Sequence, residues 1–78
     1  MIRLKFPNHC QDMIQARGID IDHIKKAIKD PDNTEPTYEG KTLVRKTIDE
    51  RVIEVVYYKD GFRKINDYIV ITAYYLDI

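Results

Sequence analysis

The sequence predicts an α+β domain in the order β-α-α-β-β-β, with a helical hairpin packed on one face of a mainly antiparallel sheet. Apolar residues in the first third recur at helical spacing, whereas the second half holds three segments rich in β-branched and aromatic residues. The chain has 78 residues, which suffice for one domain with a modest core. We therefore treat residues 1–78 as a single domain.

A short strand opens the chain and two amphipathic helices follow it. Ile2, Leu4 and Phe6 alternate with charged residues, as in a strand with one buried face. The first helix is predicted over residues 9–17, with Asn8 as its cap and Gly18 as its stop. The second begins after Asp20 and must end before Pro31. Its apolar stripe consists of Ile21, Ile24, Ala27 and Ile28.

The rest of the chain is predicted to be loop and strand. Residues 31–40 contain two prolines and a glycine and are typical of a loop. Strands are predicted over residues 41–48, 52–58 and 68–76. A tight turn joins the first two and a loop over 59–67 joins the last two, so the three form an antiparallel meander. Two helices cover one face of this sheet, which leaves the other open or covered by a partner.

Alternation along the last strand predicts which side chains lie under the helices. The set assigned to the helix side is Ile69, Ile71, Ala73 and Tyr75. The opposite, open face receives Thr72 and Tyr74, together with Glu54 from the middle strand. The cation beside Glu54 depends on the preceding turn, because a three-residue loop pairs Lys46 with Glu54 and a two-residue loop pairs Arg45 with it. The same set also suits ordinary cross-strand stabilisation, worth about 0.2–1 kcal/mol per pair.

Several short motifs, taken in order, resemble one family. They are His9 at the start of the first helix, Arg17-Gly18-Ile19, Lys46-Thr47, Glu54-Val55-Val56-Tyr57 and Ile69-Val70-Ile71-Thr72-Ala73-Tyr74. The sequence resembles the domain-of-unknown-function family 4258 over almost the whole chain. That family is similar in fold to the RelE-type toxins and, more widely, to barnase-like and colicin-like ribonuclease domains.

The resemblance implies metal-independent cleavage of RNA, in which a 2′-hydroxyl attacks the adjacent phosphate and no cofactor is required. Such chemistry uses acid–base groups and donors for the charge on the phosphoryl oxygens. By this resemblance His9 is a general acid or base and Lys46 holds the phosphate. Thr72 and Tyr74 position the scissile group. The substrate-binding residues expected beside them are Arg17, Arg45, Arg51 and Glu54.

The composition departs from that of such toxins, and the sequence leaves an alternative function open. The formal net charge is zero, whereas RelE-type toxins are usually markedly basic, because binding a polyanion depends on Lys and Arg contacts. The alternative is a noncatalytic interaction module of the same fold, which binds a partner through the open face and uses some of the six tyrosines. The partners expected are therefore RNA, an antitoxin-like protein or a second copy of the chain.

Several other kinds of site are excluded. Cys10 is the only cysteine, so the sequence offers neither an internal disulfide nor a cysteine-built zinc site. The three glycines stand apart, so there is no phosphate-binding glycine loop, and the chain has no serine. His23 is interpreted as a solvated residue on the polar face of the second helix. No apolar run is long enough for a membrane span, and a cytoplasmic location is expected.

Overall fold

A computed structural model describes residues 3–59 and 67–76. The strands in these ranges are β1 (Arg3–Lys5), β2 (Asn33–Pro36), β3 (Thr42–Ile48), β4 (Arg51–Lys59) and β5 (Asp67–Leu76). The helices are α1 (Asn8–Arg17) and α2 (Ile21–Lys29), and a short 3-10 helix spans Tyr38–Gly40. Ile2 of the predicted first strand and most of the predicted loop over 59–67 lie outside the described residues.

The described strands form one five-stranded sheet in the order β1-β5-β4-β3-β2. β1 runs parallel to β5, and the other three pairs are antiparallel. α1 packs on β5, and α2 packs on β3 and β4. The predicted fold class is therefore confirmed: an α+β domain with two helices against a mainly antiparallel sheet. Neither α1 nor α2, in the described part of the chain, is long and apolar enough to cross a membrane.

β2 lies within the segment predicted to be a loop, so that prediction is wrong in part. Asn33–Pro36 pairs with β3, and all four of its residues are exposed. An exposed edge strand needs no alternation of apolar residues. A proline can end such a strand because one side of the edge has no ladder to complete. The strand consequently carries the turn-forming composition of a loop.

The helix ends follow the prediction except at the start of α1. The cap position there is Pro7, not Asn8, and no side chain caps it. The Pro7 carbonyl accepts hydrogen bonds from the backbone N–H groups of Cys10 and Gln11 at 2.9 and 3.0 Å. Gly18 ends α1 in the left-handed region at φ 63°, as its lack of a β-carbon favours. The Asp20 side chain caps α2 by accepting from the N–H of Asp22 at 2.8 Å.

The hydrophobic core lies between the helices and the sheet. Its buried residues are Cys10, Ile14, Ile19, Ile24, Ala27, Ile28, Val44, Ile53, Val55, Val70 and Ala73. Burial raises the pKa of the Cys10 thiol, and the nearby Arg17 charge opposes this only in part. Cys10 is therefore a packing residue in its neutral form.

A β-bulge in β5 changes which of its side chains reach this core. The register with β4 skips Ile71, and one extra residue reverses the alternation of every residue before it. Val70 consequently joins Ala73 in the core at 0% exposure. Ile69 and Ile71 are only half-buried and lie outside the core cluster. The prediction that placed these two isoleucines under the helices is wrong for this reason.

Candidate functional site on the open face of the sheet

The turn between β3 and β4 decides which cation meets Glu54 on the open face, the side of the sheet away from the helices. Asp49 and Glu50 form this turn, with φ angles of 50° and 68°. Two turn residues give the register in which Arg45 pairs with Glu54. The Arg45 Nε donates to Glu54 Oε1 at 2.7 Å. Of the two registers left open by the sequence, the structure therefore has the one with Arg45.

Glu54 is almost completely buried, with 3% of its surface exposed. A buried carboxylate is costly unless it is paired and hydrogen-bonded, and Arg45 supplies that pair. The Arg45 side chain remains 36% exposed. Its Nη1 and Nη2 atoms have no partner among the described residues. Glu54 thus fixes the guanidinium at Nε and leaves its two terminal nitrogens free to bind an anion.

Two further residues extend this pair across the sheet. Tyr74 lies opposite Glu54 on β5. The Arg17 guanidinium lies 5.9 Å from the centroid of the Tyr74 ring, and its Nη1 donates to the Ala73 carbonyl at 3.0 Å. Arg45, Glu54, Tyr74 and Arg17 therefore form what we call the polar row, which crosses β3, β4 and β5 and ends on α1.

Within the described ranges, α1 lies along the part of β5 that β1 does not pair with. β1 pairs only with residues at the start of β5, up to Ile69. Farther along β5, the Thr72 hydroxyl lies 3.2 Å from Met13 Sδ, and Arg17 contacts Ala73 as above. The helix thus covers the part of this border that β1 leaves unpaired.

His9 lies on the same side of α1 as these two contacts. Residues four apart on a helix share a face, so His9, Met13 and Arg17 form one stripe along α1. Met13 and Arg17 both contact β5, and His9 lies about 6 Å farther back, one turn toward the start of the strand. His9 is exposed and makes no hydrogen bond or ion pair to the described residues. Its imidazole is available to a ligand at this border.

Lys46 lies apart from the polar row. It pairs with Ile53, a buried core residue, so it projects toward the helix side of the sheet. Its Nζ contacts Asp30 at 3.3 Å and Asp32 at 3.5 Å. The hydrogen bond to Asp30 is the largest of the effects that raise the pKa of Lys46. The structure therefore does not bring Lys46 together with Thr72 and Tyr74, and its predicted phosphate contact gains no support.

One known protein family matches the segment that contains these residues. A family model described as "Domain of unknown function (DUF4258)" matches residues 6–75. The chain is a member of DUF4258. A search of curated proteins and a search of solved structures each found no match. The DUF4258 match spans both helices and the entire polar row, and its description assigns no activity, so the geometry is the basis on which a function can be proposed.

Two other residues that the sequence singled out, Arg51 and His23, lie on the helix side of this DUF4258 domain. The Arg51 guanidinium stacks 3.6 Å from the centroid of the Tyr75 ring, away from the polar row. His23 is half-buried, and its Nδ1 lies 2.9 Å from Tyr75 Oη. The same oxygen accepts from the Asp20 N–H at 3.3 Å. The interpretation of His23 as a solvated surface residue is therefore wrong, because a tyrosine 52 residues away in the sequence holds it.

The described part of the DUF4258 domain contains no cluster of residues that could hold a metal ion. Within residues 3–59 and 67–76, no group of three or more His, Cys, Asp or Glu side chains is placed to hold a metal ion. The β5–α1 border offers instead one arginine, two hydroxyl groups and one accessible imidazole, and a second arginine, Arg45, lies at the far end of the polar row. These groups can bind an anion and transfer a proton.

Proposed function

We propose that this DUF4258 domain is a metal-independent ribonuclease that cleaves RNA by attack of a 2′-hydroxyl on the adjacent phosphate. The observation that carries the proposal is the contact of α1, through Met13 and Arg17, with Thr72, Ala73 and Tyr74 along one border of β5. His9 lies one turn earlier on the same stripe of α1. The resemblance of the sequence to RelE-type toxins and barnase-like ribonucleases supports the same reaction.

The reaction needs two proton transfers and stabilisation of charge on phosphorus. The bond from the 2′-oxygen to phosphorus forms as the bond from phosphorus to the 5′-oxygen breaks, giving a 2′,3′-cyclic phosphate and a 5′-hydroxyl. His9 carries one proton, either from the 2′-hydroxyl or to the leaving oxygen, because an imidazole can both accept and donate a proton. The other proton is exchanged with water. Thr72 and Tyr74 donate to the phosphoryl oxygens and hold the scissile group.

Two arginines supply the positive charge. Arg17 lies beside Tyr74 at the border, and Arg45 presents its terminal nitrogens from the far end of the polar row. Guanidinium groups bind phosphate oxygens in a fixed, bidentate geometry. Arg45 takes the role that the sequence resemblance gave to Lys46, whose ammonium lies between two aspartates on the other side of the sheet.

The first prediction is loss of cleavage when His9 is removed. Purified protein is incubated with a single-stranded RNA and a chelator, and the products are analysed for 2′,3′-cyclic phosphate ends. We expect His9→Ala to lower the cleavage rate by about 100-fold or more, because a positioned acid–base group contributes roughly 10²–10⁴-fold. Lys25→Ala, an exposed cation on α2 away from the site, is the matched control and should retain the wild-type rate.

Two results would overturn this function. One is a folded wild-type protein that leaves every RNA intact. The other is cleavage at the same rate in His9→Ala, which would assign the activity to a contaminant or another site. A substrate with a single 2′-deoxynucleotide at the cleaved position tests the mechanism directly, since it lacks the attacking hydroxyl and should remain uncut there.

A second candidate function is a noncatalytic module that binds a protein through the open face. One observation favours it: the open face outside the polar row is apolar and half-buried, formed by Leu43, Val52, Val56, Ile69 and Leu76. Such a surface suits a protein partner, whether an antitoxin-like protein or a second copy. This function predicts stable complex formation by a protein that cleaves no RNA.

A further inference from the structure

Tyr58 lies on the open face, beyond the polar row. Its neighbours in β4 both contact Tyr68, with ring centroids 5.2 Å apart for Tyr57 and the Lys59 ammonium 5.7 Å from the ring. Tyr68 packs against the core on the helix side. Since side chains alternate along a strand, Tyr58 projects from the opposite side. It pairs with Ile69 and is 37% exposed.

The surface between Tyr58 and the polar row is continuous with both. Val56 and Thr72 lie opposite each other there, and both are half-buried. Tyr58 and Glu54 are four residues apart on β4, a separation of about 13 Å along the strand. An aromatic ring, an apolar strip, a hydroxyl and the guanidinium groups therefore follow one another on one rigid face.

This order matches the chemistry of an unpaired nucleotide. Exposed bases stack on aromatic side chains, while their phosphates are attracted to arginine. Base-paired RNA hides the faces of its bases and cannot use a tyrosine in this way. In the described part of the chain, two arginines are placed to meet phosphates at this face, Arg45 from β3 and Arg17 from α1. This charge suits a short contact with one RNA strand.

We propose that the open face binds single-stranded RNA, with one base stacked on Tyr58 and two nearby phosphates held by Arg45 and Arg17, one by each. This inference rests on the proposed function and specifies its substrate. The RNA must be unpaired at the cleaved site, and Tyr58 forms a base-binding subsite outside the reacting groups.

The test measures binding separately from cleavage. Fluorescence anisotropy is recorded with 2′-O-methyl oligonucleotides, which lack the attacking hydroxyl. We expect a single strand to bind more tightly than a hairpin of the same composition. Tyr58→Ala should weaken single-strand binding roughly 5- to 150-fold, the range found for removing one base–aromatic stack. Tyr58→Phe should keep it. Tyr38→Ala, which removes a tyrosine that is 89% exposed in the 3-10 helix, is the matched control and should bind as wild type.

The salt dependence supplies a second readout that a folding defect would not imitate. For single strands, each phosphate contact contributes about −0.7 to the slope of log K against log salt. Arg17→Ala, at an exposed position, should therefore make the slope shallower by about 0.7. Tyr58→Ala should leave the slope unchanged, because stacking releases no counterions.

The outcomes separate this inference from the proposed function. RNA cleavage by a protein whose Tyr58→Ala variant binds as tightly as wild type would overturn the subsite and leave the nuclease standing. Single-strand binding that depends on Tyr58, without cleavage of unmodified RNA, would support the subsite and overturn the nuclease. No oligonucleotide binding, together with self-association that Tyr58→Ala abolishes in sedimentation, would assign the face to protein contacts and overturn the inference.

Discussion

At the scale of single residues, the Arg45–Glu54 pair is the contact on which the open face most depends. The carboxylate is 3% exposed, and its partner approaches to 2.7 Å. Removing one partner of a buried pair leaves a charge without compensation, which costs more than the pair contributes over apolar residues. The pair thus both holds the sheet together and presents the arginine to a ligand.

We predict that Arg45→Ala lowers the free energy of unfolding by about 3 kcal/mol, the lower end of the range for breaking a buried pair, because the arginine is itself partly exposed. Urea denaturation followed by circular dichroism measures it. Lys41→Ala is the control, since Lys41 pairs with the exposed Glu39 at 3.6 Å and should cost at most about 1 kcal/mol. Equal losses in the two variants would show that leaving Glu54 unpaired carries no special cost.

At the scale of elements, the β3–β4 turn fixes the register but is built from unfavourable residues. Asp49 and Glu50 both have positive φ, and tight hairpin turns of this kind prefer Asn-Gly or Asp-Gly. A left-handed conformation costs a residue with a β-carbon about 1–2 kcal/mol. The turn has the two-residue length of a tight hairpin but has Glu50 where glycine would be most favourable.

Glu50→Gly should therefore stabilise the domain by roughly 0.5–1 kcal/mol, since relief of the left-handed conformation is partly offset by the greater freedom of glycine in the unfolded chain. Thermal and urea unfolding measure the change. Glu50→Ala removes the same carboxylate but keeps the β-carbon, and should give no such gain. If alanine stabilises as much as glycine, the charge is responsible and not the backbone.

The elements also show how far the sequence could predict the fold. Helical spacing and the Asp20 cap predicted both helices closely, and β-rich composition predicted β3, β4 and β5. The bulge at Ile71 could not be predicted, because both faces of β5 carry apolar residues. A shift of the strand by one residue therefore leaves apolar side chains facing the core. β2 could not either, since an edge strand with four exposed residues has no buried face to give it a period.

The site was predictable to a similar degree. Alternation correctly placed Glu54 and Tyr74 on one face, and the stripe along α1 brings Arg17 to the same border. The register of β3 depended on the turn length, which the residues Asp49-Glu50 do not determine, so Lys46 and Arg45 were equally open. Alternation also places Tyr58 on the face of Glu54, four residues along β4, but the sequence does not show that arginines from β3 and α1 lie at the same face.

At the scale of the whole molecule, the charged residues balance to a formal net charge of zero, and two of the ionisable groups with shifted pKa values lie beside each other. The pKa of Asp32 is held below its ordinary value of 3.8, chiefly by the backbone N–H of Thr47, which donates to it at 2.8 Å. The pKa of Lys46 is raised above 10.5, chiefly by its hydrogen bond to Asp30. Both contacts tie β3 to the segment that leads out of α2.

These shifts predict the pH limits of stability. A depressed carboxyl pKa stabilises the fold above about 3.8, and this stabilisation is lost as the pH falls through the folded value. A raised lysine pKa stabilises it below about 10.5, and this is lost as the pH rises through the folded value. Asp32→Asn should therefore flatten the acid side of a plot of unfolding free energy against pH, and Lys46→Met the alkaline side. If the plot for either variant runs parallel to that of wild type, the contact removed in that variant does not cause the pH dependence.

The contact between Arg17 and the Ala73 carbonyl has a consequence for the behaviour of the domain in crowded solution. An exposed edge strand can pair with the backbone of another chain, which is a common first step of aggregation into fibres. Here the Arg17 guanidinium donates to the Ala73 carbonyl, which an added strand would need as a hydrogen-bond acceptor. The cation that we assign to substrate therefore also discourages polymerisation along that flank, so replacing it would endanger solubility as well as activity.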